Sequence, residues 1–474
     1  MSDQAQAASW SELLSGRNGL RSLALAGGVA LHAINVFIVA TILPSVVADI
    51  GGLEYYAWNM ALFVAASILG SALVPKLADK VGLRQGFLVA IFIFVIGTIV
   101  CAAAPSMEWL LVGRTAQGLG GGLLLGLCYS ASRVVFEPRL WSRAMALISS
   151  MWGVATLLGP AIGGIFAELG AWRWAFWSIL PVALGLTVLV VTQLSSAQAS
   201  TKRQAVRIPF AQIILLVLSV FIVSFASLTV DLFWNVAGIV ISLALAVLVS
   251  TLDQRSPLRL LPSGGYRLRG GLGGLYACVG LLSVGITVEI FIPYFLQIIH
   301  GYSPLSAGYL CALMSAGWST GSIGTSGRSP KFVRKTMQAG PIISALSLAV
   351  LGFVLPIQVF DSRLEVLLAV SLPLFGIGLG IGMAWPHMST QVFRMAPKGE
   401  ENMASAAIVT VQLYAMAFGS ALGGMVSNAA GMADPGGLVG AVQASSWLLY
   451  VIALAPAWAA FIMVGVIRDR PADM

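Results

Sequence analysis

Apolar stretches about as long as a lipid bilayer core is thick follow one another along nearly the whole chain. No polar stretch between them is long enough to fold alone. A helix crossing that core needs about 20 consecutive, mostly apolar residues. Such runs are read at Ser22–Ala48, Tyr56–Val74, Gly86–Ala104, Trp109–Val134, Ala144–Leu169 and Trp174–Leu194. A middle pair follows at Phe210–Leu228 and Leu232–Leu252. Six more lie at Gly271–Ile299, Leu305–Gly324, Met337–Val359, Leu364–Phe393, Asn402–Asn428 and Ser445–Ile467, fourteen in all. Only 9% of the 474 residues are charged, against roughly 25% in soluble domains, which argues against a water-soluble enzyme. The 52 glycines suit membrane helices, whose backbones approach closely through small residues. The expected fold class is an all-α polytopic membrane protein.

A net charge of +8 resembles a nucleic-acid footprint until its distribution is considered. With fourteen spans both termini fall on one side. Of the 26 Lys and Arg, Arg173 and Arg363 fall on the other side and Arg114 lies within a span, leaving 23 on the side of the termini. Basic residues stay cytoplasmic, so both termini are expected in the cytoplasm, with membrane lipids as partners of the basic surface and no nucleic acid. The first 21 residues are polar and the first apolar run is about 27 residues long, too long for a signal-peptide core. Cys101, Cys128, Cys278 and Cys311 sit in apolar spans without CxxC spacing and read as small packing residues. No metal site and no cofactor is expected.

The spans divide into a six-helix bundle over 1–194, a middle segment 195–270 holding the helix pair 210–228 and 232–252, and a second bundle over 271–474. Two basic linkers flank the pair, Ser195–Pro209 with Lys202, Arg203 and Arg207, and Asp253–Gly270 with four arginines. Thr229-Val230-Asp231 is too short to be other than a hairpin turn. The outer bundles echo each other: Gly118-Leu-Gly-Gly-Gly122 corresponds to Gly376-Ile-Gly-Leu-Gly380, Gly159-Pro-Ala-Ile-Gly-Gly164 to Gly419-Ser-Ala-Leu-Gly-Gly424, and Leu43-Pro44 to Ile292-Pro293. Two pseudo-symmetric bundles with substrate near their interface are the repeat logic of secondary transporters.

Three motifs carry a family resemblance. Pro75-Lys-Leu-Ala-Asp79-Lys-Val-Gly82-Leu-Arg84 resembles the loop signature G-x-L-A-D-R-x-G-R-K of the major facilitator superfamily, with Pro75 and Leu83 as departures. Arg114-Thr-Ala-Gln117-Gly118-Leu-Gly120 is similar to that superfamily's R-x-x-Q-G-x-G element. Gly159-Pro160-Ala-Ile-Gly163-Gly164 resembles its antiporter motif G-P-x-x-G-G. With fourteen spans, the chain looks like the fourteen-spanner drug/proton antiporter family. The resemblance implies that Asp79 is a cytoplasmic latch, against the thirteenth helix near Asn402, and that Gly82, Arg84, Gln117, Gly118, Gly159, Pro160, Gly163 and Gly164 serve the conformational change. Glycine and proline in the fifth span also remove bulk and one backbone hydrogen bond, which permits a kink and close packing.

Charges within spans are the sharper pointers, because each costs roughly 2.5–3.5 kcal/mol at mid-helix on the translocon scale. Arg114 lies about 8 Å into its helix, and Glu289 about 27 Å along a helix of roughly 42 Å, at 1.5 Å per residue. Desolvation disfavours a carboxylate's charge, which makes Glu289 a proton carrier or a counter-charge for a cation. The first span reads Ile34-Asn35-Val-Phe-Ile-Val-Ala-Thr-Ile-Leu43-Pro44, where the family usually has L-D-x-T-I-V-N-V-A-L-P. Asn35 therefore stands at the family's acidic position and cannot titrate. His32, one turn earlier, is an alternative titrating group or a buried packing histidine. His387 has the same two readings, and His300 looks like an outer-rim residue. Phe37, Trp152, Phe291, Tyr294, Phe295, Trp318 and Trp385 are candidates, with Glu289, Asn35 and His387, to line a cavity for lipophilic or cationic solutes.

The expectation is a secondary transporter of the inner (plasma) membrane that exports amphipathic small molecules in exchange for protons by alternating access, acting as a monomer. Proton coupling would fall to Glu289, with Arg114, His32 and Asn35. The rivals are an exporter or uniporter of a specific metabolite or lipid without proton coupling, and a non-transporting receptor or scaffold. An enzyme is disfavoured, since the chain has no G-x-x-x-x-G-K-[ST], no H-E-x-x-H and only three His.

Overall fold

A computed structural model describes residues 9–194, 208–268, 271–326, 328–358 and 363–468. Lys202, Arg203, Arg207 and Arg269 of the two expected linkers lie outside them. Cα packing divides the chain into two compact units, one of 1–42 with 66–208, the other of 43–65 with 209–474. This grouping joins the middle helix pair to the later helices and gives 43–65 to that unit as well, a division not visible in the run of apolar segments.

Unit 1 contains α1 (Trp10–Leu14), α2 (Gly16–Ile50) as far as Ile42, α3 (Trp58–Val81) from Ala66, α4 (Leu83–Ala102), α5 (Met107–Val135), α6 (Trp141–Glu168), α7 (Arg173–Trp177) and α8 (Ile179–Gln193). Its helices meet through glycines. A methyl group at Gly120 of α5 would lie 2.5 Å from the Phe94 nitrogen of α4, and one at Gly122 would overlap the Ser67 backbone of α3. Ser67 Oγ donates to Gly118 O at 3.0 Å across the same seam. Without water to expel between helices, such backbone contact is what membrane helix association rests on. At the chain's start, Ser22 Oγ donates to Leu13 O at 3.0 Å and Arg139 pairs with Glu12 at 2.5 Å, tying α1 down beside α6.

Unit 2 contains α9 (Phe210–Ala226), α10 (Leu232–Arg255), α11 (Leu272–Ile286), α12 (Ile292–His300), α13 (Pro304–Thr325), α14 (Pro330–Val354), α15 (Arg363–Met395), α16 (Glu401–Ala429) and α17 (Gly437–Arg468). Gly378 of α15 leaves room for the Met314 carbonyl of α13, and Gly380 for the Gly340 carbonyl of α14. The glycine cluster of α15 thus packs on α13 and α14 as that of α5 packs on α3 and α4. Asp231 caps α10, accepting from the Phe233 amide at 2.9 Å. The α9–α10 hairpin is fastened to α16 by Ser219 Oγ to Tyr414 Oη at 3.0 Å and by Asn428 Nδ2 donating to Ser227 O at 3.0 Å.

The segment after α10, read from sequence as a basic linker, is an ordered loop built on one carboxylate. Asp253, fully buried, accepts from Leu260 N at 2.7 Å, Leu261 N at 3.1 Å and Tyr266 Oη at 3.0 Å. Burial and the Asp253 charge push the Tyr266 phenol well above its usual range, so it stays the donor. Ser263 in turn donates its amide and hydroxyl to Glu400 at 2.6 and 2.8 Å.

Eleven described helical segments are long and apolar enough to cross a membrane, short of the fourteen expected. Phe210–Ala226 is apolar but only 17 residues long. The helices at the other two expected spans, α5 and α13, have 29 and 22 residues. Their glycines and serines, which let neighbouring backbones close in, also dilute their apolarity. The expectation of one continuous helix in the ninth span does fail. The single helix expected over Gly271–Ile299 is interrupted: α11 stops at Ile286, a 3-10 turn spans Thr287–Ile290, and α12 begins at Ile292. The depth inferred for Glu289 from a straight helix therefore does not hold. Pro293 in the first turn of α12 lacks the N–H that would continue the ladder.

Candidate functional site

In unit 1, Arg114 sits on α5 four residues before Gly118, with α2 and α4 on either side. The residue is 1% exposed. Nη1 donates to Asn35 Oδ1 at 3.3 Å and to Gln117 Oε1 at 2.9 Å. Gln117 Nε2 passes the chain on to Thr98 Oγ1 at 2.9 Å, and Thr98 donates to Phe94 O at 2.8 Å. Cys101 Sγ lies 3.6 Å from Gln117 Oε1, so it borders this network. Arg114 and Gln117, read from sequence as one motif, thus form with Asn35 one cradle in which amide oxygens meet a buried cation. Thr98 is the member that sequence reasoning missed; nothing distinguishes it from other membrane threonines.

His32 is 2% exposed, with its ring edge toward Trp152 at 6.0 Å between centroids. It also faces Gly121, where any side chain would collide with Nδ1. Glycines Gly159 and Gly163 of α6 lie one turn apart against α2. A Cβ at Gly159 would run into Phe37 Cβ, and one at Gly163 would sit 2.9 Å from Ile38 O. Pro160 lies inside α6, and Gly164 is buried beside it. Phe37 and Trp152 are part-exposed.

Glu289 occupies the 3-10 turn of unit 2. It is half-buried, and its Oε1 is buried without a hydrogen-bond partner among the described residues. A buried acceptor left unmatched costs roughly 1–3 kcal/mol, and mid-helix 3-10 stretches mark hinges or strain. Around the turn, Tyr56 Oη donates to Ile290 O at 3.0 Å, and its ring meets Phe291 at 5.7 Å and Tyr294 at 5.5 Å. Phe291 and Phe295 are fully buried and Tyr294 is 4% exposed. Phe291 also packs where Gly423 of α16 makes room. Asn428 Nδ2 donates to Glu54 O at 2.8 Å, so the 43–65 segment is fixed at two points. Tyr56 opens an expected span and was not singled out; only its tertiary partner gives it meaning.

Trp318 and Trp385 pair at 5.3 Å between centroids, both part-exposed. His387, two residues on, lines a separate cavity with three arginines. Asp79 is part-exposed near the end of α3 and forms no ion pair with Lys80 or Arg84. Gly82 follows at φ +80°, ψ 167° as the N-cap of α4, a conformation closed to other residues. Arg84 Nε is buried without a hydrogen-bond partner. The Asn402 side chain lies outside the described residues.

A family model described as Major Facilitator Superfamily matches residues 25–420. A protein of Mycobacterium tuberculosis (strain ATCC 25618 / H37Rv) described as a probable multidrug-efflux transporter is 36% identical over 459 residues, 95% of each chain. Multidrug resistance protein 3 of Bacillus subtilis (strain 168) is 27% identical over 372 residues, 76% of this chain and 70% of that protein. Among solved structures, a D-xylose–proton symporter superposes with a TM-score of 0.67 at 16% identity, covering 94% of this chain and 97% of that one. Taken with the all-helical units and their matching glycine seams, these likenesses make the chain a multi-pass membrane transporter, and it belongs to the major facilitator superfamily.

Proposed function

We propose that the protein exports amphipathic or lipophilic small molecules, cationic ones included, across the plasma membrane in exchange for protons. Relatives named for multidrug efflux or multidrug resistance support the substrate class. The observation that carries the coupling is the broken helix of unit 2: an acid without a hydrogen-bond partner for Oε1, in a turn whose ladder is already interrupted. Discontinuous helices at transporter sites are where ions and substrates bind. In this reading Glu289 loads and releases the proton during alternating access. Arg114, held by Asn35 and Gln117, is a fixed positive charge within unit 1, and His32 is a secondary group. Trp318, Trp385, Trp152 and Phe37, all with exposed ring surface, offer faces to lipophilic solutes. Asp79 acts as the latch of the cytoplasmic end. The fourteen-span topology with cytoplasmic termini rests on the charge asymmetry.

The test is transport of fluorescent lipophilic cations in reconstituted vesicles, in two modes on the same protein. Uphill transport under a pH gradient should be present in wild type and lost in Glu289→Gln, while exchange of labelled substrate down its own gradient survives. Full pH-driven transport by a well-folded Glu289→Gln protein would overturn the assignment. A second reading, transport without proton coupling, is favoured by Asn35, which cannot titrate. It predicts wild-type transport indifferent to the pH gradient.

A further inference from the structure

Unit 2 has a hollow, apart from Glu289, where α13, α15 and α17 end and α14 begins. Its volume is ≈ 160 Å³. Arg328 enters it from the α13–α14 connection, Arg334 from the first turns of α14 and Arg394 from the last turn of α15. His387, Gln391 and Arg394 follow at steps of four and three residues, one face of α15. Leu275, Met337 and Val466 form an apolar wall.

Basic residues at a membrane edge are ordinarily just solvated, so convergence has to be shown. Arg328, Arg334 and Arg394 all line one hollow, yet the described residues offer no carboxylate within ion-pair distance of any of them. Arg334 is held in place, its Nη2 donating to Ile467 O at 3.0 Å. Arg328 leans over the Phe332 ring at 5.7 Å. His387 Nε2 is buried and without a hydrogen-bond partner. Like charges gathered in a hollow repel, and an anion with several acceptor oxygens reverses the sign of that interaction.

We propose that this hollow binds a phosphate group. A carboxylate has two oxygens and can satisfy one guanidinium fork well. A phosphate presents three or four oxygens and up to two charges, matching several forks and one further donor. The apolar wall suits the glycerol and first acyl carbons of a phospholipid headgroup, but the recognising chemistry is shared with free phosphate.

The experiment uses the full chain, purified and delipidated in neutral detergent. Short-chain phosphatidic acid, inorganic phosphate and short-chain phosphatidylcholine are each titrated, with thermal unfolding and native mass spectrometry as readouts. Wild type should bind phosphatidic acid, and Arg328→Gln with Arg394→Gln should weaken that binding at least about tenfold. Saturation by phosphatidic acid alone identifies the lipid as the source; a matching, variant-sensitive response to inorganic phosphate identifies the free ion. Should the double variant fail to fold, Arg394→Lys decides, since it keeps the charge, loses the fork and should weaken phosphatidic acid binding. Equal binding by wild type and variants, or no binding by wild type, would overturn the proposal.

Discussion

The first helix of each repeat meets the same kind of neighbour and responds differently. In unit 1, α2 runs unbroken past Phe37 and Ile38, pressed against Gly159 and Gly163 of α6. In unit 2, the stretch Val284–Phe291 is pressed against Gly419 and Gly423 of α16, and there the helix gives way to a 3-10 turn. Both carry a proline soon afterwards, Pro44 inside α2 and Pro293 at the start of α12. The polar residues differ in kind as well. Unit 1 buries a permanent cation among neutral oxygens; unit 2 places a titratable acid where the backbone ladder is weakest.

Removing the cation should break the comparison most severely. Arg114→Ala leaves Asn35 Oδ1 and Gln117 Oε1 without this donor, and a buried acceptor left unsatisfied costs about 1–3 kcal/mol. A collapse in folded yield and melting temperature is expected, with Arg114→Lys intermediate because it keeps charge but loses the fork. A melting temperature unchanged in Arg114→Ala would mean the cradle is dispensable.

Next comes the packing of the two first helices. Gly159→Ala drives a methyl into Phe37 Cβ, which cannot rotate away, whereas the methyl of Gly419→Ala stands 3.1 Å from the Thr287 side chain. Overpacking of the first kind costs about 1–3 kcal/mol, and the second should cost less than about 1. Thermal unfolding of the two variants side by side measures this; equal losses would show that the seams are equivalent after all.

A smaller effect is expected at the turn itself. Tyr56→Phe removes the bond to Ile290 O, worth about 1 kcal/mol. Amide exchange over 287–292 should quicken while the rest of unit 2 is unchanged. Protection there equal to wild type would show that the turn holds without Tyr56. The subtlest change is Asn35→Asp, which adds a titratable group to unit 1 beside Arg114. Its fold should survive and the pH profile of transport should shift; an unmoved profile would leave Asn35 a purely structural partner.

Much of this architecture can be read from the chain. Apolar runs locate the helices because each must satisfy its backbone internally in lipid, and the Gly118 and Gly376 clusters foretell which seams are tight. Arg114 stands out because a charge in a span needs a reason. Less legible is whatever depends on distant partners. Thr287-Val-Glu-Ile290 contains no glycine or proline, so the 3-10 turn follows from its packing against α16, Tyr56 and Pro293. Asp253 looks like one more loop charge until three donors close on it. The grouping of 43–65 with the later helices is a tertiary fact that no local pattern encodes.

The cradle around Arg114 has an electrical consequence. A guanidinium keeps its charge at any physiological pH, so α5 carries one elementary charge wherever it moves. Energised membranes hold a voltage, and a charge carried across all of 100 mV gains or loses about 2.3 kcal/mol. Any displacement of α5 along the membrane normal therefore does electrical work in proportion to the fraction of the field it crosses.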